Sequence, residues 1–238
     1  MSAVLERCIA AKSRAQVAPV TPPHWRREIQ GDAGRYDGAF SYALPGAAKT
    51  LEIAETAAST GTKVWDCAVA LARMFERHTR TSSRLAICAN ERVLELGGGS
   101  GLLALALAAL GADVTTTDAA PVVPHLRRTI DANADSVPRT PTVAALDWRD
   151  DVDVGAFPVV VASDVLVCVQ WAEDVARVLA AVAAEARLVV VATQRRRDGV
   201  ARFLEAAAAH FTVEELREDS FHPDYYHHDL QVLVLAPR

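Results

Sequence analysis

From residue 92 to the end, the chain alternates short apolar runs with segments of helical period, and that alternation leaves few architectures open. The apolar runs cover residues 92–96, 113–117, 142–146, 159–163 and 188–193; helical stretches at 102–110, 122–133 and 171–185 separate most of them. Strands and helices that take turns imply right-handed βαβ crossovers, and so a mostly parallel sheet with helices on both faces. One more helix is expected over 200–209, then closing strands at 212–216 and 230–235. Residues 219–229 between those strands carry no convincing helical pattern, which suits an antiparallel last strand better than another crossover. The expected fold is therefore α/β: a Rossmann-like, seven-stranded sheet.

Upstream, Val64, Ala68, Leu71, Ala72 and Phe75 recur at helical spacing and predict an amphipathic helix over 63–77, with Trp65 in its first turn. Residues 1–50 mix Pro19, Pro22 and Pro23 with Trp25-Arg26-Arg27 and several glycines, without a sustained period, and read as an N-terminal extension to a domain spanning 51–238. A chain of 238 residues that is 51% hydrophobic has enough apolar surface for one such domain. Its net charge of −5 offers no global attraction to nucleic acid or anionic lipid. The start lacks a secretory pattern, and no stretch of about 18 apolar residues is present to span a membrane. Cys8, Cys67, Cys88 and Cys168 are scattered without a CxxC, as expected of reduced, mostly buried thiols in a cytosolic or nuclear protein.

The first apolar run of the alternation leads straight into Glu95-Leu96-Gly97-Gly98-Gly99-Ser100-Gly101. Glycines at a strand-to-helix turn let backbone amides approach a ligand closely, because no Cβ stands in the way. A dinucleotide fingerprint would place Gly or Ala where Leu102 stands. A phosphate loop would follow its last glycine with Lys and Ser or Thr, but here Leu102-Leu103 follows. What remains is a loop suited to an adenosine that carries a methionine tail in place of a pyrophosphate. Asp118 ends the next strand, where a carboxylate can accept both ribose hydroxyls. Glu95, Gly97, Gly98, Gly99, Gly101 and Asp118 are thus candidate S-adenosylmethionine-binding residues.

Several further segments, taken together, resemble one group. They are Thr60-Gly61-Thr62-Lys63-Val64-Trp65-Asp66, the glycine loop, Thr117-Asp118, Leu126 to Asn133, Leu146-Asp147-Trp148 and Ala162-Ser163-Asp164-Val165. In this order, over roughly residues 50–238, they are similar to methyltransferase family 16, which includes the non-SET protein-lysine methyltransferases of the methyltransferase-like 21 type. The resemblance implies an S-adenosylmethionine-dependent N-methyltransferase in which Trp65 and the glycine loop wall the methionine end and Asp118 binds ribose. It further implies that Asp147 and Trp148 flank the adenine and that Ser163 contacts the cofactor beside the acceptor. By themselves the two tryptophans also suit core packing, and Asp164 also suits a turn cap.

One departure bears on the acceptor. Lysine-methylating members carry Asp-x-x-Tyr or a near variant, whereas this chain has Asp164-Val165-Leu166-Val167. Lysine has a pKa of about 10.4, so at neutral pH only about one molecule in a few thousand is a neutral nucleophile. The site must accept an ammonium, let it lose a proton and align its lone pair. A carboxylate and an aromatic face suit that task, which makes Asp164 the candidate catalytic residue, with Trp171, Tyr225 or Tyr226 available as the ring. The expected partner is a protein substrate. The alternatives are a small-molecule amine or heteroaromatic nitrogen, or a cofactor-binding interaction protein without activity. Gln194-Arg195-Arg196-Arg197 follows a strand on the same sheet edge and reads as a solvated loop in preference to a site for an acidic peptide or a phosphate group, and His222 to Asp229 reads as a substrate-side lip in preference to a metal site. No Gly-x-Ser-x-Gly elbow supports a hydrolase.

Overall fold

The computed structural model describes residue 25 and residues 38–44, 49–56, 59–81, 83–150 and 154–238. Cys8, Pro19, Pro22, Pro23, Arg26 and Arg27 lie outside the described residues. Two strands, β1 (Gly38–Ala43) and β2 (Thr50–Glu55), pair as an antiparallel hairpin. The remaining strands form one sheet: β3 (Arg92–Leu96), β4 (Asp113–Asp118), β5 (Thr142–Ala145), β6 (Val159–Ser163), β7 (Leu188–Gln194), β8 (Phe211–Glu215) and β9 (Leu230–Pro237). Their order is β5-β4-β3-β6-β7-β9-β8, with β9 antiparallel to both neighbours and the other pairs parallel. The seven-stranded Rossmann-like sheet and its antiparallel last strand follow the alternation read from the sequence.

Every residue of β7 is buried, as is nearly all of β3, because helices cover both faces of a parallel sheet and leave no solvent side for polar alternation. Among the described residues, five helices do the covering: α1 (Asp66–Arg80), α2 (Leu102–Ala109), α3 (Val123–Ala132), α4 (Ala172–Val182) and α5 (Gly199–Ala207). Successive strand residues point to opposite faces. Val93 and Val161 therefore join α1, α2, α3 and the hairpin in one core, while Leu94 and Val160 join α4 and α5 in the other. The sequence Leu-Leu-Ala-Leu-Ala-Leu-Ala of α2 is buried all round, since α1 covers the side that the sheet does not. Among the described residues, no helix is long and apolar enough to cross a membrane.

The hairpin is the main addition to the sequence reading, and β1 lies inside the stretch read as an extension without a period. Leu51 and Ile53 of β2 are buried while Glu52 and Ala54 face outward, an alternation visible in Thr-Leu-Glu-Ile-Ala-Glu. Asn133 locks the hairpin to the end of α3: it accepts from the Glu52 N–H and donates to the Glu52 carbonyl, both at 3.0 Å. Tyr42 of β1 donates to Glu76 of α1 at 2.6 Å, and Arg73 approaches the same carboxylate at 2.8 Å. The first main helix starts at Asp66, three residues later than the periodicity predicts, because the Trp65 carbonyl opens the turn by accepting from Ala68 and Val69. Of the described cysteines, Cys67 is buried, Cys168 half-buried and Cys88 exposed, and none is in a disulfide.

Candidate active site

The chain leaves β3 to build one half of the sheet outward through β4 and β5, then returns to build the other half from β6. That reversal leaves a crevice at the carboxyl ends of the central strands, the usual ligand position in open α/β sheets. A cavity of about 600 Å³ occupies it, within the range of small-molecule sites. It draws Gly97 and Gly99 from the turn after β3, Asp118 from the end of β4, and Ser163 and Asp164 from the end of β6. Trp65 at the start of α1 and the Asp147-Trp148 pair after β5 complete the residues that the sequence brings forward.

The glycine loop divides into two kinds of position. Gly97 and Gly99 line the cavity with φ of 72° and 53°, left-handed values that L side chains rarely adopt. A Cβ on Gly97 would stand 2.7 Å from Val165 and 3.3 Å from the Trp148 ring, and one on Gly99 would stand 3.2 Å from the Gly61 carbonyl oxygen. Glu95, Gly98 and Gly101 do not line the cavity. They lie behind it: Thr116 Oγ1 donates to Glu95 at 2.6 Å, and a Cβ on Gly98 would come within 2.0 Å of that hydroxyl. Gly101 packs against Leu126 and Ile130 of α3. Burial pushes the Glu95 carboxyl up to about 7; the Thr116 hydroxyl opposes that rise and the Asp118 charge adds to it.

Asp118 accepts from the Gly99 N–H at 2.8 Å through one oxygen and from the Ala119 N–H at 2.7 Å through the other. Burial raises its pKa despite these two donors. Each oxygen keeps a further lone pair, so the carboxylate is aimed by the loop and can still accept from a diol. Asp147 is held differently. The Arg149 guanidinium and its backbone N–H keep its carboxyl well below the usual range. Trp148 stands edge-on to Trp171 with ring centroids 6.3 Å apart, and its buried indole N–H has no partner among the described residues. An aimed carboxylate, two glycines whose Cβ would intrude and an unused indole donor fit an adenosine with a methionine tail.

At the acceptor end, Asp164 follows β6 in a left-handed conformation with φ of 54°. Its N–H donates to the Ala192 carbonyl at 2.8 Å. Arg197 grips both carboxylate oxygens, Nε to Oδ1 at 2.9 Å and Nη2 to Oδ2 at 2.5 Å. Asp164 is thus a paired carboxylate, and the run 194–197, read as a solvated loop, delivers a cavity residue. Position gave the available signal, since the run follows a strand at the edge where ligands bind. Ser59, Thr60, Gly61, Cys168 and Trp171 also line the cavity. Trp171 is the aromatic residue that reaches it from beyond β6; Tyr225 and Tyr226 do not. The histidine-rich segment is no lip to this cavity: Tyr225 and His227 pack on Trp25, whose indole N–H donates to the Asp224 carbonyl at 2.7 Å.

Comparison with known proteins bears on this site. Over 161 residues the chain is 27% identical to protein N-lysine methyltransferase METTL21A of Danio rerio, covering 66% of this chain and 71% of that one. Over 95 residues it is 32% identical to EEF1A lysine methyltransferase 3 of Xenopus tropicalis, covering 40% and 38%. The 16S rRNA N2 G1207 methyltransferase of T. thermophilus, solved with AdoMet and guanosine, aligns with a TM-score of 0.55 at 17% identity, over 87% of this chain and 46% of that one. The magnesium protoporphyrin IX methyltransferase of Synechocystis PCC 6803 aligns at 0.52 and 17%, over 71% and 78%. At such identities the likeness is one of fold. The family model described as lysine methyltransferase matches residues 47–210, a stretch that holds every cavity residue described above, and the chain belongs to that family.

Proposed function

We propose that this chain transfers the methyl group of S-adenosylmethionine to the side-chain nitrogen of a lysine in a partner protein. The observation that carries the reading is that one cavity joins the glycine loop and Asp118 to Asp164, Val167 and Trp171. A cofactor end and an acceptor end thus share one crevice. The relatives are named as lysine methyltransferases, which supports a protein lysine as acceptor.

When bound, S-adenosylmethionine supplies an electrophilic methyl on a sulfonium. The protein's part is to orient and to exclude water. Asp118, aimed by Gly99 and Ala119, takes the ribose diol; Gly97 and Gly99 keep the backbone surface open; Trp148 closes against Gly97 beside Asp147. At the other end, Trp171 and Val167 flank the incoming amine and Asp164 attracts its ammonium form, which must release its proton to solvent before its lone pair attacks the methyl. Tritiated methyl transfer from the cofactor into proteins of a cell extract, followed by hydrolysis and identification of methyl-lysine, tests the reading. Label confined to small molecules would move the acceptor to a free amine or heteroaromatic nitrogen. Absence of label despite measurable cofactor binding would make the chain an interaction protein.

A further inference from the structure

Asp164 and Trp65 are the groups that a target ammonium would seek in this cavity, a carboxylate for its charge and an aromatic face for its methylenes and charge. Both are already engaged by Arg197. Its guanidinium makes two hydrogen bonds to the carboxylate and lies 5.5 Å from the Trp65 ring centroid, inside the range of cation–π attraction. We propose that Arg197 is an internal occupant of the acceptor position and that the substrate ammonium enters by taking its place on Asp164. This inference rests on the reading above that the acceptor is a lysine.

The two partners are unequally exposed. The Asp164 side chain is 1% exposed and that of Arg197 15% exposed. Asp164 stands at the end of β6 on a short side chain, its N–H donating to the Ala192 carbonyl, whereas Arg197, whose own N–H donates to the Gln194 carbonyl, reaches in from the turn before α5 on a side chain with more rotatable bonds. Removing the guanidinium without replacement leaves a buried carboxylate uncompensated, a state strongly disfavoured in a protein interior. Arg197 therefore yields to another cation and not to a neutral molecule. The pair becomes a specificity filter: aliphatic ammonium groups can exchange with it, neutral heteroaromatic nitrogens cannot. While it is closed, it lowers the apparent affinity for substrate in proportion to the fraction of molecules that are closed.

The probe is n-butylammonium chloride, which copies a lysine side chain without its peptide. It is titrated by calorimetry into the full chain saturated with S-adenosylhomocysteine. Arg197→Met removes the internal cation while keeping a long stem, and should bind butylammonium at least about tenfold more tightly than the wild type. Arg197→Lys, which keeps a cation but loses the two-pronged grip, should fall between them and serves if the methionine variant does not fold. The double variant Asp164→Asn/Arg197→Met should lose the gain. In transfer to extract proteins, the apparent KM of Arg197→Met should drop by more than its kcat changes. The proposal is overturned if neither single variant binds butylammonium more tightly, if the gain survives loss of the Asp164 charge, or if kcat falls at constant KM, as a purely positioning residue would show. Label found on groups other than lysine would defeat the functional reading while leaving the butylammonium comparison intact.

Discussion

Asp118 accepts the Gly99 amide at 2.8 Å, so the carboxylate at the end of β4 and the turn after β3 form one unit. A substitution at either residue acts on both. Asp118→Ala removes the acceptor for the ribose diol and releases the loop; S-adenosylhomocysteine affinity should fall by about 1–3 kcal/mol, the range of lost charge-assisted hydrogen bonds. Asp118→Asn keeps one acceptor oxygen and should lose less. Calorimetry on the folded variants measures both, and unchanged affinity in the alanine variant would remove Asp118 from the site.

The neighbouring glycines should fail in different ways. A Cβ on Gly98 would stand 2.0 Å from Thr116 Oγ1 and 3.2 Å from Glu95. Gly98→Ala must therefore move the loop or the strand behind it, at about 1–3 kcal/mol for an overpacked interior, and its melting temperature should drop. Gly99 faces the cavity, and a side chain there meets the Gly61 carbonyl and a left-handed backbone costing about 1–2 kcal/mol. Gly99→Val should keep the fold and lose the cofactor. Circular dichroism melts paired with calorimetry separate the two; identical behaviour would contradict the division between lining and packing glycines.

Much of this was legible because parallel strands buried on both faces write their positions as continuous apolar runs. The runs at 92–96 and 159–163 coincide with β3 and β6, and the glycine loop and Asp118 follow from strand ends. The roles of Glu95 and Gly98 were not legible, since a motif records which residues recur and not which side of the backbone they face. Arg197 was missed for a related reason. A run of three arginines reads as solvated unless a buried carboxylate is known to stand opposite, and Asp164 lies 33 residues away. The hairpin hid because β1 offers only six residues, Gly-Ala-Phe-Ser-Tyr-Ala, and its packing depends on Asn133 far along the chain.

Glu95 should make stability depend on pH. Its carboxyl is pushed from 4.5 to about 7 in the folded protein by burial. Between those values the folded chain holds a proton that the unfolded chain has released, so unfolding free energy declines as pH rises through the window. The contribution is complete below pH 4.5 and gone above about 7. Glu95→Gln cannot ionise, so relative to the wild type it should gain stability between pH 5 and pH 8, by at most about 3 kcal/mol. Urea unfolding of both proteins across this range measures the difference, and parallel curves would mean that Glu95 does not titrate there.

The acceptor end joins a buried charge to an open rim. Asp164→Asn keeps the shape and removes the charge, so turnover should fall by about tenfold or more while cofactor affinity stays nearly constant. Val167 stands where the family resemblance implies an aromatic residue; it lines the cavity yet is 38% exposed, so a larger side chain has solvent into which to extend. Val167→Tyr adds an aromatic face beside Trp171, worth about 0.5–2 kcal/mol toward a cation. Methyl transfer to protein lysine should rise accordingly, with cofactor affinity unchanged. Val167→Leu adds bulk without a ring and should give no gain. If tyrosine instead lowers transfer while leucine does not, Val167 shapes a pocket for a smaller acceptor, and the lysine reading loses its support at this position.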